Sequence, residues 1–188
     1  MDALDRNANG VVMPKLKFEQ IKSKYSEFER ELMRNGKLPM RDTGIGFWNG
    51  AVCDEIFQLF KKISLQKYNN FLDLGSGDGR VVLIASLFTN ASGVEYDKPL
   101  AEKAEEIKNS LRIKNAVFHN KNFHEHNISA HDIVFISPDA PMHRGVESKL
   151  LTELRGKLIV YGPHFHPTLL VKEKEFWINN NFVAVYGR

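Results

Sequence analysis

Short apolar runs alternate with helix-forming stretches from residue 70 almost to the end of the chain. The runs are FLDLG, ASGVE, AVFHN, DIVFIS and KLIVYG, and the stretches between them include VVLIASLF, PLAEKAEEIKNSL and GVESKLLTELR. This alternation predicts parallel strands joined by crossover helices on both faces of a sheet. The chain then ends in KEKEFWI and FVAVYGR, which only residues 179–181 separate, so these strands should be antiparallel neighbours. We therefore expect an α/β three-layer sandwich with a seven-stranded, mostly parallel sheet whose last strand is antiparallel.

Helical periodicity dominates the N-terminal part of the chain. A helix over residues 15–34, ended by Asn35 and Gly36, is predicted from Phe18, Ile21, Tyr25, Phe28 and Leu32. A second helix is predicted from Val52, Ile56, Leu59, Phe60 and Ile63. We expect residues 1–42 to form an N-terminal helical extension and residues 43–188 to form the main domain.

Composition narrows the range of partners and compartments. A chain of 188 residues is long enough for one core, and its formal net charge of +3 is compatible with an acidic partner without demanding one. No run of about 18 apolar residues is present, so no membrane partner is expected. Cys53 is the only cysteine, and the first residues lack the pattern of a signal peptide. Both features favour a cytoplasmic location.

Three glycines follow the first predicted strand, in LDLGSGDGR. In a strand–loop–helix unit this loop lies at the carboxyl edge of the sheet, where a ligand contacts backbone N–H groups and the start of the next helix. Gly75, Gly77 and Gly79 would keep side chains out of the way of that ligand. A dinucleotide site would need G-x-G-x-x-G, but Arg80 stands where the third glycine should be, so the spacing argues against NAD.

The string resembles motif I of the class I S-adenosylmethionine-dependent methyltransferases, in which an acidic residue and one apolar residue precede G-x-G-x-G. Asp73 is that acidic residue. The resemblance implies S-adenosylmethionine as the cofactor, contacted by Asp73 and by the loop residues Gly75, Ser76, Gly77, Asp78 and Gly79. Asp78 has an alternative role, as a cap of the following helix.

The resemblance continues at the ends of the second and third strands. In ASGVEYDKPLAEKA it places Glu95 on both ribose hydroxyls and Tyr96 on the adenine. In HNKNFHEHNI it places Asn122 on the adenine amino group and Phe123 against the ring. Glu95 and Asp97 have an alternative role, as an acidic pair at the N-terminus of the helix that begins near Pro99.

Two further segments resemble parts of this family that face the methyl group. The segment Thr43 to Trp48, which includes Phe47, resembles a lid that folds over the methionine end of the cofactor. The loops after the fourth and fifth strands should line the acceptor site, which nominates Ser137, Pro138, Asp139, Tyr161, His164 and His166. Asp139 or His164 is a candidate general base, although an amine acceptor can react without one.

These motifs do not decide which group accepts the methyl. Enzymes that methylate planar amines carry [N/D/S]-P-P-aromatic after strand four, whereas this chain reads Ser137-Pro138-Asp139-Ala140. DLGSGDGR, GVEYD and the KNF-HE run resemble the seven-strand protein lysine methyltransferases, which include small archaeal enzymes and the non-SET histone family, although their strand-four motif also differs. We expect methyl transfer to a nitrogen, with a protein lysine favoured. The alternatives are RNA, a small molecule, or a binding module that has lost transfer.

Four histidines lie close together in the sequence, at positions 119, 124, 126 and 131. Their spacings match no standard zinc pattern and no cysteine accompanies them. We therefore expect no metal site.

Overall fold

The protein is described from a computed structural model that covers residues 13–143 and 145–188. Its five α-helices within these residues are α1 (Met13–Arg34), α2 (Cys53–Lys62), α3 (Arg80–Ala85), α4 (Lys98–Ser110) and α5 (Val146–Glu153). The strands are β1 (Met40–Asp42), β2 (Phe47–Asn49), β3 (Asn70–Leu74), β4 (Asn90–Glu95), β5 (Ala116–Asn120), β6 (Ile133–Ile136), β7 (Lys157–Tyr161), β8 (Val171–Ile178) and β9 (Asn181–Gly187).

Seven of these strands form one sheet in the order β5-β4-β3-β6-β7-β9-β8. Strands β3 to β7 pair in parallel, and β9 is antiparallel to both β7 and β8. Six strands therefore run in one direction and the last strand in the chain runs against them, which confirms the predicted fold. β6 is buried along its whole length because helices and loops cover both faces of the sheet.

Each face of the sheet has its own hydrophobic cluster. On one face, side chains of α1, α2, α3 and α4 pack against Phe71 and Phe135. On the other face, Leu150 and Leu154 from the α5 region pack with Ile128 against Leu72 and Leu158. The sheet and the elements packed on its two faces therefore form the three layers that the alternating pattern predicts.

Two connections differ from the simple strand–helix alternation. Residues 40–49, which read as a loop in the sequence, form the two-stranded hairpin β1–β2. The crossover from β5 to β6 contains only a short 3-10 turn, Phe123–Glu125. Ile128, in the loop that follows this turn, is fully buried and belongs to the cluster on that face.

Helix α1 is part of the core. Phe18, Ile21 and Tyr25 lie one or two turns apart on a single side, and all three are buried in the same cluster as α2 and α3. The hydroxyl of Tyr25 also donates a hydrogen bond to the carbonyl of Asp78, at 2.9 Å. The helix predicted for residues 15–34 is therefore present, and the domain boundary at residue 42 stays a prediction. Across the described part of the chain, no helix has the length and apolarity needed to cross a membrane.

The burial of α1 predicts a stability difference between two of its residues. Ile21 is fully buried, so Ile21→Ala should lower the free energy of unfolding by about 2–4 kcal/mol through lost burial and the cavity it leaves. Leu16 lies on the same helix and is half-exposed, so Leu16→Ala should change stability by at most about 0.5 kcal/mol. Urea denaturation measures both. Equal values for the two variants would mean that α1 does not pack as described.

Candidate active site

A cavity of about 530 Å³ opens at the carboxyl ends of the central strands. It gathers three segments that are distant in sequence: the hairpin β1–β2, the glycine loop after β3 and the loop after β6. The predicted site residues that line it are Thr43, Phe47, Trp48, Asp73, Gly75, Ser76, Gly77, Asp78, Glu95, Tyr96, Phe123, Ser137, Pro138, Asp139 and Tyr161. The carboxyl edge of a parallel sheet is the usual ligand position in such folds.

Four of the predicted residues, Gly79, Asn122, His164 and His166, lie outside the lining of this cavity. Gly79 faces the protein interior, where an added Cβ would stand 2.5 Å from the Cβ of Ala104. The Asn122 amide oxygen accepts a hydrogen bond from the His124 backbone N–H and so caps the 3-10 turn. His164 is exposed. The structure thus gives Gly79 a packing role, and the cofactor role of Asn122 and the catalytic role of His164 stay predictions without a cavity contact.

Gly75 and Gly77 are each needed as glycine for a different structural reason. Gly75 has a φ of +74° and nothing within 4 Å of the position of an added Cβ, so its backbone faces open space in the cavity. At Gly77, an added Cβ would stand 2.7 Å from Cδ1 of Trp48. Between them, the buried hydroxyl of Ser76 has no hydrogen-bond partner within the described residues. That hydroxyl packs against Gly93 of β4, so it is the open backbone at Gly75 that allows a ligand to approach closely.

The Glu95 carboxylate is buried at the end of β4 and held by two backbone groups. One oxygen accepts from the Gly77 N–H and the other from the Asp97 N–H, both at 2.7 Å. Because a carboxylate has about four acceptor positions, each oxygen can still accept a ribose hydroxyl. The N-cap of α4 is Asp97, which accepts from the Leu100 N–H at 3.0 Å. The capping alternative therefore applies to Asp97, and Glu95 is left facing the cavity.

Asp73 is a buried carboxyl group, only 3% exposed, at the end of β3. No hydrogen bond to its side chain is present among the residues that the structure describes. Burial raises the pKa of Asp73 well above its ordinary value, and the nearby negative charges of Glu95 and Asp78 raise it further. A cationic ligand group would offset this cost, and the methionine ammonium of S-adenosylmethionine is such a group.

Asp78 is also buried, but its partner is Arg80. The guanidinium donates to both oxygens of Asp78, with Nη2 at 2.7 Å, and its Nη1 donates to Glu29 of α1 and to the carbonyl of Ala51. Asp78 also accepts a hydrogen bond from the Arg80 backbone N–H, the first N–H of α3, at 3.2 Å, so the capping alternative is present one residue before the N-cap position of Gly79. In the sequence, Arg80 stood out only as a departure from a glycine pattern, so its pairing with Asp78 could not be predicted there.

The hairpin β1–β2 closes over the glycine loop and is attached at two points. The Phe47 N–H donates to the carboxylate of Asp139 at 2.5 Å, and Arg41 pairs with Asp97 at 2.7 Å. Trp48 is buried between these attachments, against Gly77. The segment predicted to be a lid therefore covers the cavity as a hairpin.

A fourth buried acidic side chain, Glu55, lies behind the cavity wall. The hydroxyl of Tyr161 donates to Glu55, in the first turn of α2, at 2.7 Å. Burial and this hydrogen bond raise the pKa of Tyr161 above its ordinary value. Sequence reasoning nominated Tyr161 but not Glu55, because only tertiary contacts bring these two residues together. His166, which was predicted together with Tyr161 to line the acceptor site, is hydrogen-bonded to Tyr186 and to the carbonyl of Gly162.

Three of the histidines form a row, with ring centroids 4.9 Å apart for His119 and His126 and 5.9 Å apart for His126 and His131. Burial lowers the pKa of His126 to about 4, and the positive charge of Lys121 adds to the effect. Within residues 13–143 and 145–188, no group of three or more potential ligands is arranged to hold a metal ion.

Solved structures identify the class of fold. An RNA methyltransferase from Salinibacter ruber, in complex with S-adenosyl-L-homocysteine, is similar with a TM-score of 0.64 at 19% identity, over 73% of this chain and 92% of that one. The mitomycin 7-O-methyltransferase MmcR has a TM-score of 0.62 at 14% identity, over 72% and 53%. The tRNA (uracil-54, C5)-methyltransferase of Pyrococcus abyssi, also in complex with S-adenosyl-L-homocysteine, has a TM-score of 0.61 at 16% identity, over 74% and 40%. The fold is that of the class I methyltransferases.

Residues 49–143, half of the chain, match the family described as "Histone methylation protein DOT1". The chain belongs to this family. It is an S-adenosylmethionine-dependent methyltransferase, and the open glycine loop, the buried carboxylates and the size of the cavity fit that cofactor. No curated protein sequence matches the chain.

The open space at Gly75 predicts a variant that loses the cofactor and keeps the fold. Gly75→Ala should lower the affinity for S-adenosylmethionine at least about tenfold, since a methyl group enters the cavity beside the loop. Gly36 is the matched control, because it also has a positive φ and open space at its Cβ but lies outside the cavity. Both variants should carry a similar strain of about 1–2 kcal/mol. Calorimetric titration should show normal affinity for Gly36→Ala, and a normal affinity for both variants would refute the assignment of Gly75.

The buried Asp73 predicts a trade-off between stability and cofactor binding. Below about pH 3 the carboxyl group is protonated in both the folded and the unfolded chain, so Asp73→Asn should have the stability of the wild type. As the pH rises, the unfolded chain releases this proton while the folded protein retains it, so the wild type loses stability until the raised pKa is passed. Without cofactor, Asp73→Asn should thus be the more stable protein at pH 7, with weaker binding of S-adenosylmethionine. Urea denaturation from pH 4 to 8 tests this, and a less stable variant at pH 7 would contradict it.

Proposed function

We propose that the protein transfers a methyl group to the side-chain amine of a protein lysine. The observation that carries this proposal is the charge of the cavity. Its lining has four acidic side chains, Asp73, Asp78, Glu95 and Asp139, and one cationic side chain, Arg80, which is itself paired with Asp78. An acidic cavity favours cationic groups and repels phosphates. Membership in a family described by histone methylation supports the same acceptor.

The surface of α1 gives less support to an RNA acceptor. The cluster Lys15, Lys17, Lys22 and Lys24 is the feature that an RNA-binding stripe would use. In the structure, Lys22 pairs with Asp54 and Lys24 with Glu27, and Lys17 donates to the carbonyl of Leu111. Three of the four charges are therefore engaged within the protein. The RNA methyltransferases among the similar structures share the fold with this chain at under 25% identity, so they do not favour RNA as its acceptor.

The proposed roles combine the sequence resemblance with the positions of these residues in the cavity lining. S-adenosylmethionine supplies an electrophilic methyl group on a positively charged sulfur. Asp73 would bind the ammonium of the methionine part, and Glu95 would accept hydrogen bonds from the ribose hydroxyls. Tyr96 and Phe123 would pack on the adenine. The hairpin with Thr43, Phe47 and Trp48 excludes water, which protects the reactive methyl group.

On the acceptor side, the loop after β6 guides the amine. Asp139 stands at the mouth of the cavity, where its negative charge attracts a lysine ammonium. Pro138 fixes the backbone so that the carbonyl of Ser137 accepts a hydrogen bond from the amine. The lysine releases its proton to water before the attack, so no general base is required. We also propose a cytoplasmic location, supported by the single cysteine.

The acceptor is tested with tritium-labelled S-adenosylmethionine and three separate probes: a core-histone mixture, poly-L-lysine and total RNA. We expect label on both lysine probes, methyl-lysine after acid hydrolysis, and no label on RNA. Transfer should increase with pH as more of the acceptor amine is neutral. Gly36→Ala should be active and Gly75→Ala inactive, which ties the label to the cavity. Label on RNA with none on the lysine probes would overturn the proposal.

A further inference from the structure

Glu55 is a buried carboxylate, 7% exposed, whose side chain accepts hydrogen bonds from three side-chain donors, none of them proposed to hold the cofactor. Tyr161 and Asn181 both donate to its Oε2, and Asn179 donates to its Oε1 at 3.3 Å. The three donors come from the end of β7, the β8–β9 turn and the start of β9. Burying a charge costs free energy, and these hydrogen bonds offset that cost only by fixing all four side chains.

The position of this cluster places it at the acceptor end of the cavity. Tyr161 and Asn181 line the cavity, and Glu55 lies behind them. In the sheet order β4-β3-β6-β7, Tyr161 ends the strand that is two positions from the glycine loop of β3. Glu95, at the end of β4, lies on the opposite side of that loop. Glu95, which we propose holds the ribose, and the Tyr161 cluster are therefore at opposite ends of the cavity.

The hydrogen-bond direction decides what Tyr161 can bind. A phenol has one hydrogen, and that of Tyr161 goes to Glu55, so the remaining capacity of its oxygen is to accept. Because its pKa is raised, the group stays a neutral phenol at physiological pH. An oxygen that only accepts, with a negative charge behind it, suits an N–H donor such as an amine and disfavours a phosphate or another acceptor.

We propose that Tyr161 is a catalytic residue whose hydroxyl oxygen accepts a hydrogen bond from the acceptor amine, and that Glu55 is the positioning residue that orients this hydroxyl. The inference rests on the proposed function, since it assigns the residues that bind the lysine nitrogen. It adds to that function a recognition site for a primary amine, built from Tyr161 with Glu55 and Asn181.

The chemical step balances without any further reactant. The lysine nitrogen, after losing one proton to water, gives its lone pair to the methyl carbon, and the C–S bond breaks with its electron pair remaining on sulfur. The new N–CH₃ bond leaves the positive charge on nitrogen, and a proton then leaves to water. The N–H held by Tyr161 becomes more acidic as this charge develops, so the hydrogen bond is strongest in the transition state. The Glu55 carboxylate stabilises the same charge through the polarised hydroxyl.

Tyr161→Phe removes the proposed contact and keeps the ring. With poly-L-lysine as the acceptor, its kcat should fall about tenfold or more, while its affinity for S-adenosylmethionine should stay within about twofold of the wild type. The activity should fall by the same factor at every pH, because Tyr161 takes up no proton. Tyr186→Phe is the matched control: Tyr186 is also buried, its hydroxyl bonds His166 at 2.9 Å, and it does not line the cavity. This control should keep the kcat of the wild type.

Glu55→Gln tests the positioning role of Glu55 independently, because it preserves the volume of the side chain and leaves Tyr161 in place. Its kcat should also fall, with little change in the affinity for the cofactor. A normal kcat in both Tyr161→Phe and Glu55→Gln would overturn this inference and leave lysine methylation standing. An equal loss of kcat and cofactor affinity would overturn it too, since that outcome indicates a structural role. A wild type that labels RNA but no lysine probe would overturn the proposed function and the inference together.

Discussion

The ion pair between Arg80 and Asp78 is the interaction on which the site depends. Both side chains are almost fully buried, and the guanidinium also reaches Glu29 of α1 and the carbonyl of Ala51 before α2. An added Cβ at Gly50 would lie 2.4 Å from the guanidinium carbon, so the segment after the hairpin closes directly onto it. Removing one partner of such a buried pair costs about 3–5 kcal/mol. One side chain thus fixes α1, the glycine loop and the end of the lid relative to one another.

This arrangement explains why the cavity can be so acidic. Asp78 is neutralised by Arg80, whereas the Asp73 side chain has no hydrogen bond among the described residues and Glu95 is held only by backbone N–H groups. The cofactor is itself cationic, so the protein retains unfavourable negative charge where a positive ligand will offset it. Glu55 is a further buried carboxylate, and three neutral side-chain donors surround it. Binding free energy and folding free energy are in conflict at these positions, as is usual for functional sites.

Much of the fold could be predicted because it depends on local patterns. The alternating runs after residue 70 specify the strands and their crossovers, and the two residues between β8 and β9 allow only an antiparallel pair. The hairpin β1–β2 could not be read in this way, since its strands have three residues each and are held by contacts to Asp97 and Asp139. For the site, the motif indicated Asp73, the glycines and Glu95. It gave no sign that Gly79 packs on α4 or that Asn122 caps a turn.

The sequence by itself determined the chemistry that this protein can support. The spacing from Gly75 to Arg80 argues against a dinucleotide, and the resemblance carried by Asp73, the glycines and Glu95 implies S-adenosylmethionine, because backbone access and carboxylate acceptors are local properties of the chain. Only the tertiary structure decided which charges meet. Glu55 and Tyr161 are 106 residues apart, and Phe47 and Asp139 are 92 apart. Hydrogen bonds between such residues depend on how helices and loops pack on the sheet, and a linear pattern carries no record of that packing.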